Sequence, residues 1–599
     1  MNRGIVVLDF GGQYAHLIAN RIRRLQVYAE IRSPQLAPEE LGGFDGLILS
    51  GGPASVYAAD QPLYNPALLD LGMPMLGLCY GHQLICQHFS GEVAPGDTME
   101  YGAARLRVKK ARGVLAGLAS SEAVWMSHRD SVVALPEGFE VLGETEDCPV
   151  AAMGNEAARI YGLQFHPEVT HTTSGLRILE NFIDICGCER AWTMEHFIAE
   201  SMAQIKEQTA GRKVFLLVSG GVDSTVSFLL LNQALGEERV LGLHIDNGLM
   251  RHNETALVSR LMQESGFANL EVVDASADFL GVLEGVADPE EKRRRIGEEF
   301  IRVRDRALEV RDLDPEEWLL GQGTLYTDTI ESGGTHNAEV IKTHHNRVAV
   351  IEKLLAAGKV IEPLAQLYKD EVRELGEKMG LPHHLVWRQP FPGPGLGVRV
   401  LCSDGEDVPA ADGLVEDRVG EIGQKFGLEA QILPLRSVGV QGDGRTYAQP
   451  VVVAGEGDWS RLEEVSTELT NAVPEINRVV YLLAPAKRAA QQLKKGYLTR
   501  DRLDLLRQAD DLVMAALERH ELMQEVTQMP TVLVPLSSDG LQESIVLRPI
   551  STDDFMTARF SQLPRAFVGE VVEGLLALRG IEAVFYDITH KPPGTVEWE

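Results

Sequence analysis

The stretch that most constrains this chain is residues 213–225, Lys-Val-Phe-Leu-Leu-Val-Ser-Gly-Gly-Val-Asp-Ser-Thr. Its first half is a continuous apolar run of strand length. Its second half, Ser219-Gly220-Gly221-Val222-Asp223-Ser224, leads into helix-like sequence. A buried strand that delivers a Gly-rich turn to a helix N-terminus is a phosphate cradle. The glycines let the backbone close around an anion, while unpaired N–H groups and the Ser219 and Ser224 hydroxyls point at it. No Gly-Lys-Ser/Thr follows the glycines, so this is not the Walker loop. The bland alternative is an ordinary strand–turn–helix junction.

The loop resembles the Ser-Gly-Gly-x-Asp-Ser signature of ATP pyrophosphatases, which split ATP between the α and β phosphates. The rest of the chain is read around it. A length of 599 residues exceeds one core and predicts three to five domains. The opening run at 4–10 reads as a first strand rather than a signal peptide, and no apolar run approaches the ~18 residues of a membrane span. A net charge of −31 argues against a non-specific nucleic-acid binder. Phosphates can still be held locally by loops, Lys, Arg and Mg²⁺. Six cysteines are sparse for this length and suit a reducing compartment, so the expected location is cytoplasmic. Cys186-Gly-Cys188 lacks a second pair at zinc spacing and reads as structural thiols.

In the N-terminal third, short apolar runs at 5–8, 46–49, 75–78 and 160–165 recur between turn signals. Helical patterns at 14–24 and 63–69 separate the first three. This alternation reads as α/β with a mostly parallel sheet, whose sites lie at the carboxyl ends of strands. One such end is Gly77-Leu78-Cys79-Tyr80-Gly81, the thiol counterpart of a nucleophile elbow. The helix N-terminus beyond it favours a thiolate. Alone, Cys79 reads more often as a buried structural thiol. The second strand end, Gly162-Leu-Gln-Phe-His166-Pro-Glu168, adds a base and an orienting acid, the other parts of an activated nucleophile.

In these contexts Cys79, His166 and Glu168 resemble the triad of class I glutamine amidotransferases. That resemblance implies attack of the Cys on the glutamine amide, release of ammonia, and hydrolysis of a γ-glutamyl thioester. It also implies an oxyanion site from the amides of Gly51, Gly52 and Tyr80. Gln83, Ser127, His128 and Asp130 match positions that hold the substrate glutamine. His82, His88 and His171 have no partner pattern and read as surface or helix-start residues.

In the middle third the alternation continues, with strand-like runs at 240–245, 270–274, 318–320 and 360–361. This is a second, Rossmann-like α/β domain with the Ser219 loop after its first strand. Asp246 and Gly248 end its second strand and would face adenosine. Gln322, Gly323 and Thr324 would lie beside the loop, and Lys369 opens a helix where it could neutralise phosphate. Together with 363–364, 391–396 and 341–346, these segments resemble one branch of the superfamily, the GMP synthetases. The resemblance assigns Arg293, in the basic run 291–295, to the nucleotide substrate.

The last third uses one plan twice, each copy reading β…α-β: 451–453, 462–473 and 476–483, then 545–547, 567–578 and 581–587. A charged helical stretch, 500–526, lies between them. The tail from Lys591 to Glu599 resembles the GMP synthetase ending, in which Lys591 and Glu597 hold xanthosine monophosphate (XMP). Asp443 and Gln528 match further nucleotide contacts.

The resemblance spans the chain and identifies a long form with a duplicated C-terminal module. It divides into an amidotransferase at 1–190, an ATP pyrophosphatase at 191–404, a first α+β module at 405–490, and a connector with a second module at 491–599. It implies glutamine, ATP with Mg²⁺, and XMP as small-molecule partners, with no organic prosthetic group, nucleic acid or membrane. Adenylation of XMP releases pyrophosphate, and ammonia then displaces AMP to give GMP. Pairing of the two copies within the chain would make a dimer dispensable, so either a monomer or a homodimer is expected. The rival readings are another glutamine-dependent ATP pyrophosphatase with a different acceptor, and a catalytically silent regulatory homologue.

Overall fold

A computed structural model of the chain describes residues 4–12, 14–58, 61–264, 266–309, 311, 316–328, 359–405, 412–441, 444–485, 491–538, 540–552 and 557–599. It forms two compact units, Met1–Glu200 and Ser201–Glu599.

In the first unit the strands are β1 (Gly4–Leu8), β2 (Tyr28–Arg32), β3 (Gly46–Leu49), β4 (Met75–Leu78), β5 (Glu92–Val108), β6 (Ser121–Ala134), β7 (Glu140–Glu144), β8 (Ala152–Asn155) and β9 (Ile160–Leu163). They build one sheet in the order β2-β1-β3-β4-β9-β8-β7-β5-β6. Strands β1, β3, β4 and β9 run parallel and are buried along their whole length, as continuous apolar runs require. The helix expected over 63–69 is a single 3-10 turn, Pro66–Leu68. Pro66 has no N–H to give to residue 62, so an α-helix cannot pass through it. The long hairpin of β5 and β6 carries no clear alternation and was not anticipated.

In the second unit β10 (Lys213–Leu217), β11 (Val240–Asp246), β12 (Leu270–Asp274), β13 (Trp318–Gly321) and β14 (Val360–Ile361) form a parallel sheet ordered β12-β11-β10-β13-β14. The strand order reverses at β10, so the Ser219 loop that follows it opens at the crevice where such sheets bind ligands.

The remaining strands are β15 (Glu429–Ile432), β16 (Ser437–Gln441), β17 (Gly444–Ala454), β18 (Ile476–Ala484), β19 (Gln492–Leu493), β20 (Thr531–Val534), β21 (Leu536–Ser537), β22 (Glu543–Leu547), β23 (Ile550–Ser551), β24 (Arg559–Phe560) and β25 (Ile581–Asp587). A seven-stranded sheet runs β15-β17-β18-β25-β22-β20, with β16 on β17, while β19/β21 and β23/β24 are short separate ladders. The repeat is complete. Helix Gly413–Lys425, β15, β17, helix Trp459–Ala472 and β18 match helix Arg500–Arg519, β20, β22, helix Arg565–Ala577 and β25. The charged stretch read as lying between the copies is thus the first helix of the second.

The copies join through the antiparallel pair β18–β25, in which Tyr481 stands opposite Tyr586. Each tyrosine hydroxyl donates to a carbonyl of its own copy, Tyr481 to Gly455 at 2.9 Å and Tyr586 to Ser561 at 2.6 Å. The helices cover one face of this sheet, through Leu462, Leu469, Leu506, Val513, Phe567 and Val571. Val452, Val480, Val546, Phe585 and Trp598 form the core on the other.

Candidate functional site

β4 ends at Leu78 and helix Tyr80–His88 starts at once, which forces Cys79 between them to φ 49° and ψ −103°. A side chain at either flanking glycine would block this turn. A Cβ on Gly77 would lie 2.3 Å from the Gly81 carbonyl oxygen, and one on Gly81 would lie 2.4 Å from that of Leu49. The Cys79 sulfur lies 3.5 Å from the Ser127 carbonyl oxygen and 3.7 Å from Gln164 Nε2. His166 Nδ1 is 2.7 Å from Glu168 Oε1, with both side chains buried. Burial alone would lower the imidazole's pKa. The Glu168 carboxylate and the hydrogen bond to Cys79 outweigh it and raise that pKa well above its usual value.

Gly51 packs against both partners: a Cβ there would meet His166 Cε1 at 3.3 Å and Cys79 Cβ at 3.7 Å. Ser50 fixes this loop, its Oγ accepting from Phe10 N at 3.0 Å and donating to the Gly51 carbonyl at 2.9 Å. Gly52 follows, packed against the Phe10 carbonyl. Tyr80 N–H lies in the first helical turn, where amides have no intrahelical acceptor.

Gln83 Nε2 donates to the Asp130 carbonyl at 2.8 Å and to Gln164 Oε1 at 3.1 Å. The Asp130 carboxylate accepts from Tyr57 at 2.7 Å and from Ser55. His128 sits between the Asp130 carbonyl at 3.0 Å and Glu100 Oε2 at 3.2 Å. Ser55, Tyr57, Glu100 and Gln164 were not anticipated. Gln164 had a signal, since it stands two residues before His166 and shares its face of an extended chain. His82, expected at the surface or a helix start, is in the first turn of its helix but fully buried, and burial drives its pKa down to about 3.

In the second unit the Ser219 loop is closed by its own side chains. Gly220 takes φ 83°, Ser219 Oγ accepts from Gly221 N at 3.2 Å, and Ser224 Oγ donates to the Gly221 carbonyl at 3.1 Å. Val222 and Asp223 open the helix Val222–Leu235. Lys369 Nζ lies 2.6 Å from both Asp223 oxygens. Gly323 backs onto the loop, where a Cβ would be 3.4 Å from Ser224 N. Gln322 N donates to the Ile361 carbonyl at 3.0 Å, and Thr324 Oγ1 to Glu362 at 2.6 Å. Asp246 Oδ1 accepts from Gly248 N at 2.9 Å.

Among the expected nucleotide contacts, Asp443 and the segment 341–346 lie outside the described residues. Arg293 stands 3.7 Å from Glu290, which also draws in Arg445 at 3.1 Å and Tyr447. Its neighbour Lys292 is fully buried, donating to the carbonyls of Gly397 at 3.0 Å and Val400 at 2.9 Å and pairing with Glu599. Gln528 Nε2 donates to the Pro390 carbonyl at 3.2 Å. Lys591 exchanges backbone hydrogen bonds with Ala558. Glu597 accepts from Arg399 Nε at 3.0 Å and Nη2 at 2.8 Å, a bidentate pair that sequence reasoning missed.

The tail is firmly seated. Trp598 is fully buried, and its Nε1 donates to Asp587 Oδ2 at 3.0 Å. Asp587 also accepts from Arg478 at 2.7 Å and Arg548 at 3.1 Å, one arginine from each copy of the repeat.

Three sequence families match successive parts of the chain: "Glutamine amidotransferase class-I" at 6–186, "NAD synthase" at 193–308 and "GMP synthase C terminal domain" at 515–598. A Leptospira interrogans protein named "Probable GMP synthase (glutamine-hydrolyzing)" is 46% identical over 100% of both chains. The GMP synthase (glutamine-hydrolyzing) of Symbiobacterium thermophilum is 46% identical over 80% of this chain and 96% of its own. That of Listeria monocytogenes is 44% identical over 80% and 95%.

Proposed function

The chain belongs to the family of glutamine-hydrolysing GMP synthases, ATP-dependent ligases with glutamine as amide donor, and from that premise we propose which residues carry each step. The observation that carries the glutaminase assignment is the elbow itself: a thiol forced to φ 49° beside an imidazole held 2.7 Å from a buried carboxylate. His166 takes the proton of Cys79, the thiolate attacks the glutamine amide, and His166 returns a proton to the leaving ammonia. The amides of Gly51, Gly52 and Tyr80 face the oxyanion. Gln83, Ser127, His128 and Asp130 hold the amino acid.

In the ligase half, the loop from Ser219 to Ser224 cradles the phosphates of ATP at a helix N-terminus. Asp246, Gly248, Gln322, Gly323 and Thr324 line the strand ends around it, and Lys369 brings a positive charge. The oxygen donors of Asp223 and Ser224 suit a hard cation, and Mg²⁺ bound there with ATP would neutralise phosphate charge. XMP is held by Arg293, Asp443, Gln528, Lys591 and Glu597. Its 2-oxygen attacks the α-phosphate of ATP and pyrophosphate leaves. Ammonia then attacks C2 and AMP leaves, giving GMP. Free ammonia is mostly protonated at neutral pH, which favours local delivery.

By function the chain divides at 1–190, 191–404, 405–490 and 491–599. The β18–β25 pairing joins the two C-terminal modules inside one chain, which favours a monomer over the homodimer, and the sparse cysteines suit the cytoplasm. Sedimentation showing only a dimer at low concentration would remove that part of the reading. The activity test follows nucleotides by chromatography after mixing protein, glutamine, XMP and Mg-ATP. Wild type gives GMP, AMP and pyrophosphate, and Cys79→Ala gives them only with ammonium. No GMP from folded protein on either nitrogen source would overturn the assignment.

A further inference from the structure

Two guanidinium groups share the Phe391 ring of the loop Phe391-Pro-Gly-Pro-Gly-Leu396, and a third, Arg388, reaches the phosphate loop from just before it. Arg251 lies 4.7 Å from the centre of the Phe391 ring, and Arg399 lies 5.3 Å from the same ring. Arg388, three residues before Phe391, donates to the carbonyl of Gly220 in the phosphate loop. Each has its own carboxylate. Arg251 Nε is 3.2 Å from Asp510 Oδ2, Arg388 Nη1 is 3.1 Å from Glu254 Oε1, and Arg399 grips Glu597. All six charged side chains are at most 22% exposed, so three positive and three negative groups balance where water screens them poorly.

The backbones interlock as well. Leu396 N donates to the Leu249 carbonyl at 2.7 Å. Arg507 donates to the carbonyls of Gly248 at 2.6 Å and Met250 at 2.9 Å. Contacts therefore run without a break from Gly220 and Gly248, through Arg251 and Phe391, to Arg399 and Glu597. In a balanced, poorly screened cluster, a change at one carboxylate alters the field at every guanidinium. Arg399 is the point of this arrangement most open to change: its Nη1 is buried with no hydrogen-bond partner among the described residues, and Glu597 is its counter-charge. A ligand that hydrogen-bonds Glu597 would compete with Arg399 for it, and the Phe391 ring lies between Arg399 and Arg251.

We propose that Arg251 and Arg399 are positioning residues for the ligase step, and that the Phe391 ring they share couples occupancy of Glu597 by the purine nucleotide to the fit of ATP at the end of β11. XMP and ATP then bind with positive cooperativity. The proposal rests on the reading of Glu597 as a nucleotide contact.

The test measures the Kd of a non-hydrolysable ATP analogue by calorimetry on the full chain, with and without saturating XMP. In wild type, XMP tightens the analogue by about 5- to 50-fold, within the range of ordinary coupling. Phe391→Leu keeps an apolar side chain but no ring face, and brings the ratio below about twofold while each ligand alone still binds. Arg399→Lys keeps the charge but loses the fork. It weakens XMP alone by roughly tenfold and lowers the ratio too. Wild type that binds both ligands independently, or Phe391→Leu with the full ratio, overturns the proposal and leaves the nucleotide reading intact. Unchanged XMP affinity in Glu597→Gln removes that reading, and the proposal with it.

Discussion

Replacing Asp587 by Asn tests whether the joint between the two C-terminal copies depends on charge. Asp587 is fully buried, and Arg478 and Arg548 beside it are fully buried too. It accepts from both, from Trp598 Nε1 at 3.0 Å and from Thr589 N at 3.0 Å. The cluster thus holds two positive charges and one negative, and Asn leaves both guanidinium groups uncompensated. Breaking a buried pair in this way costs about 3–5 kcal/mol. Retained bonds from Arg478 to the Val438 and Glu597 carbonyls, and from Arg548 to Thr589, favour the lower end. Arg548→Met removes the surplus charge instead and leaves a balanced pair. Its cost is roughly 1–2 kcal/mol, from the carbonyls it abandons. Burial already pulls the Arg548 pKa down to about 10, even beside the Asp587 carboxylate. Hydrogen exchange of the β18 and β25 amides reads this sheet without unfolding the rest of the chain. Asp587→Asn should speed it by roughly 100- to 4,000-fold. An Arg548→Met variant as damaged as Asp587→Asn would refute the charge argument.

Acid should act through the same residue. The two arginines outweigh burial and hold the Asp587 carboxyl below its usual value. Its contribution is therefore present above the unfolded pKa of about 3.9 and is lost as pH falls through the lower folded value, a loss absent from Asp587→Asn in acid exchange profiles. For His166 the sign is opposite: its folded pKa is raised, so its contribution is full below about pH 6.5 and fades as pH rises through the folded value. Glu168→Gln should bring the imidazole's NMR titration down, and an unchanged titration would exclude Glu168 as the cause. Gly77→Ala drives a Cβ to 2.3 Å from a backbone oxygen. It should cut glutamine-dependent synthesis by about 100-fold and spare the ammonium reaction, as misplacement of a nucleophile does. Tyr481→Phe and Tyr586→Phe should each cost about 1 kcal/mol in the same exchange assay. A difference above about 2 kcal/mol between them would show that the two hydroxyls are not equivalent.

Strands such as β1, β3 and β10 were legible because short continuous apolar runs bounded by glycine have few other uses in a chain without a membrane-length apolar helix among the described residues. The chemistry proposed at their ends was legible for a local reason, since Cys79 and His166 each sit within three residues of a strand end. What escaped was set by partners far away in sequence. Nothing near Arg399 names Glu597, 198 residues on. Nothing near His82 shows that Gly162 packs against its ring. The stretch 500–526 looks like a connector until β20 and β22 show that it opens a repeat. The same distance hid Gln164 beside the thiol, although its spacing from His166 was in view.

The backbone angle at Cys79 has an evolutionary reading. A non-glycine residue at φ 49° carries strain of about 1–3 kcal/mol, and glycine would relieve it. Selection for foldability alone would therefore let this position drift toward glycine. On the glutaminase assignment proposed above, the cysteine there is a place where reactivity outweighs backbone comfort.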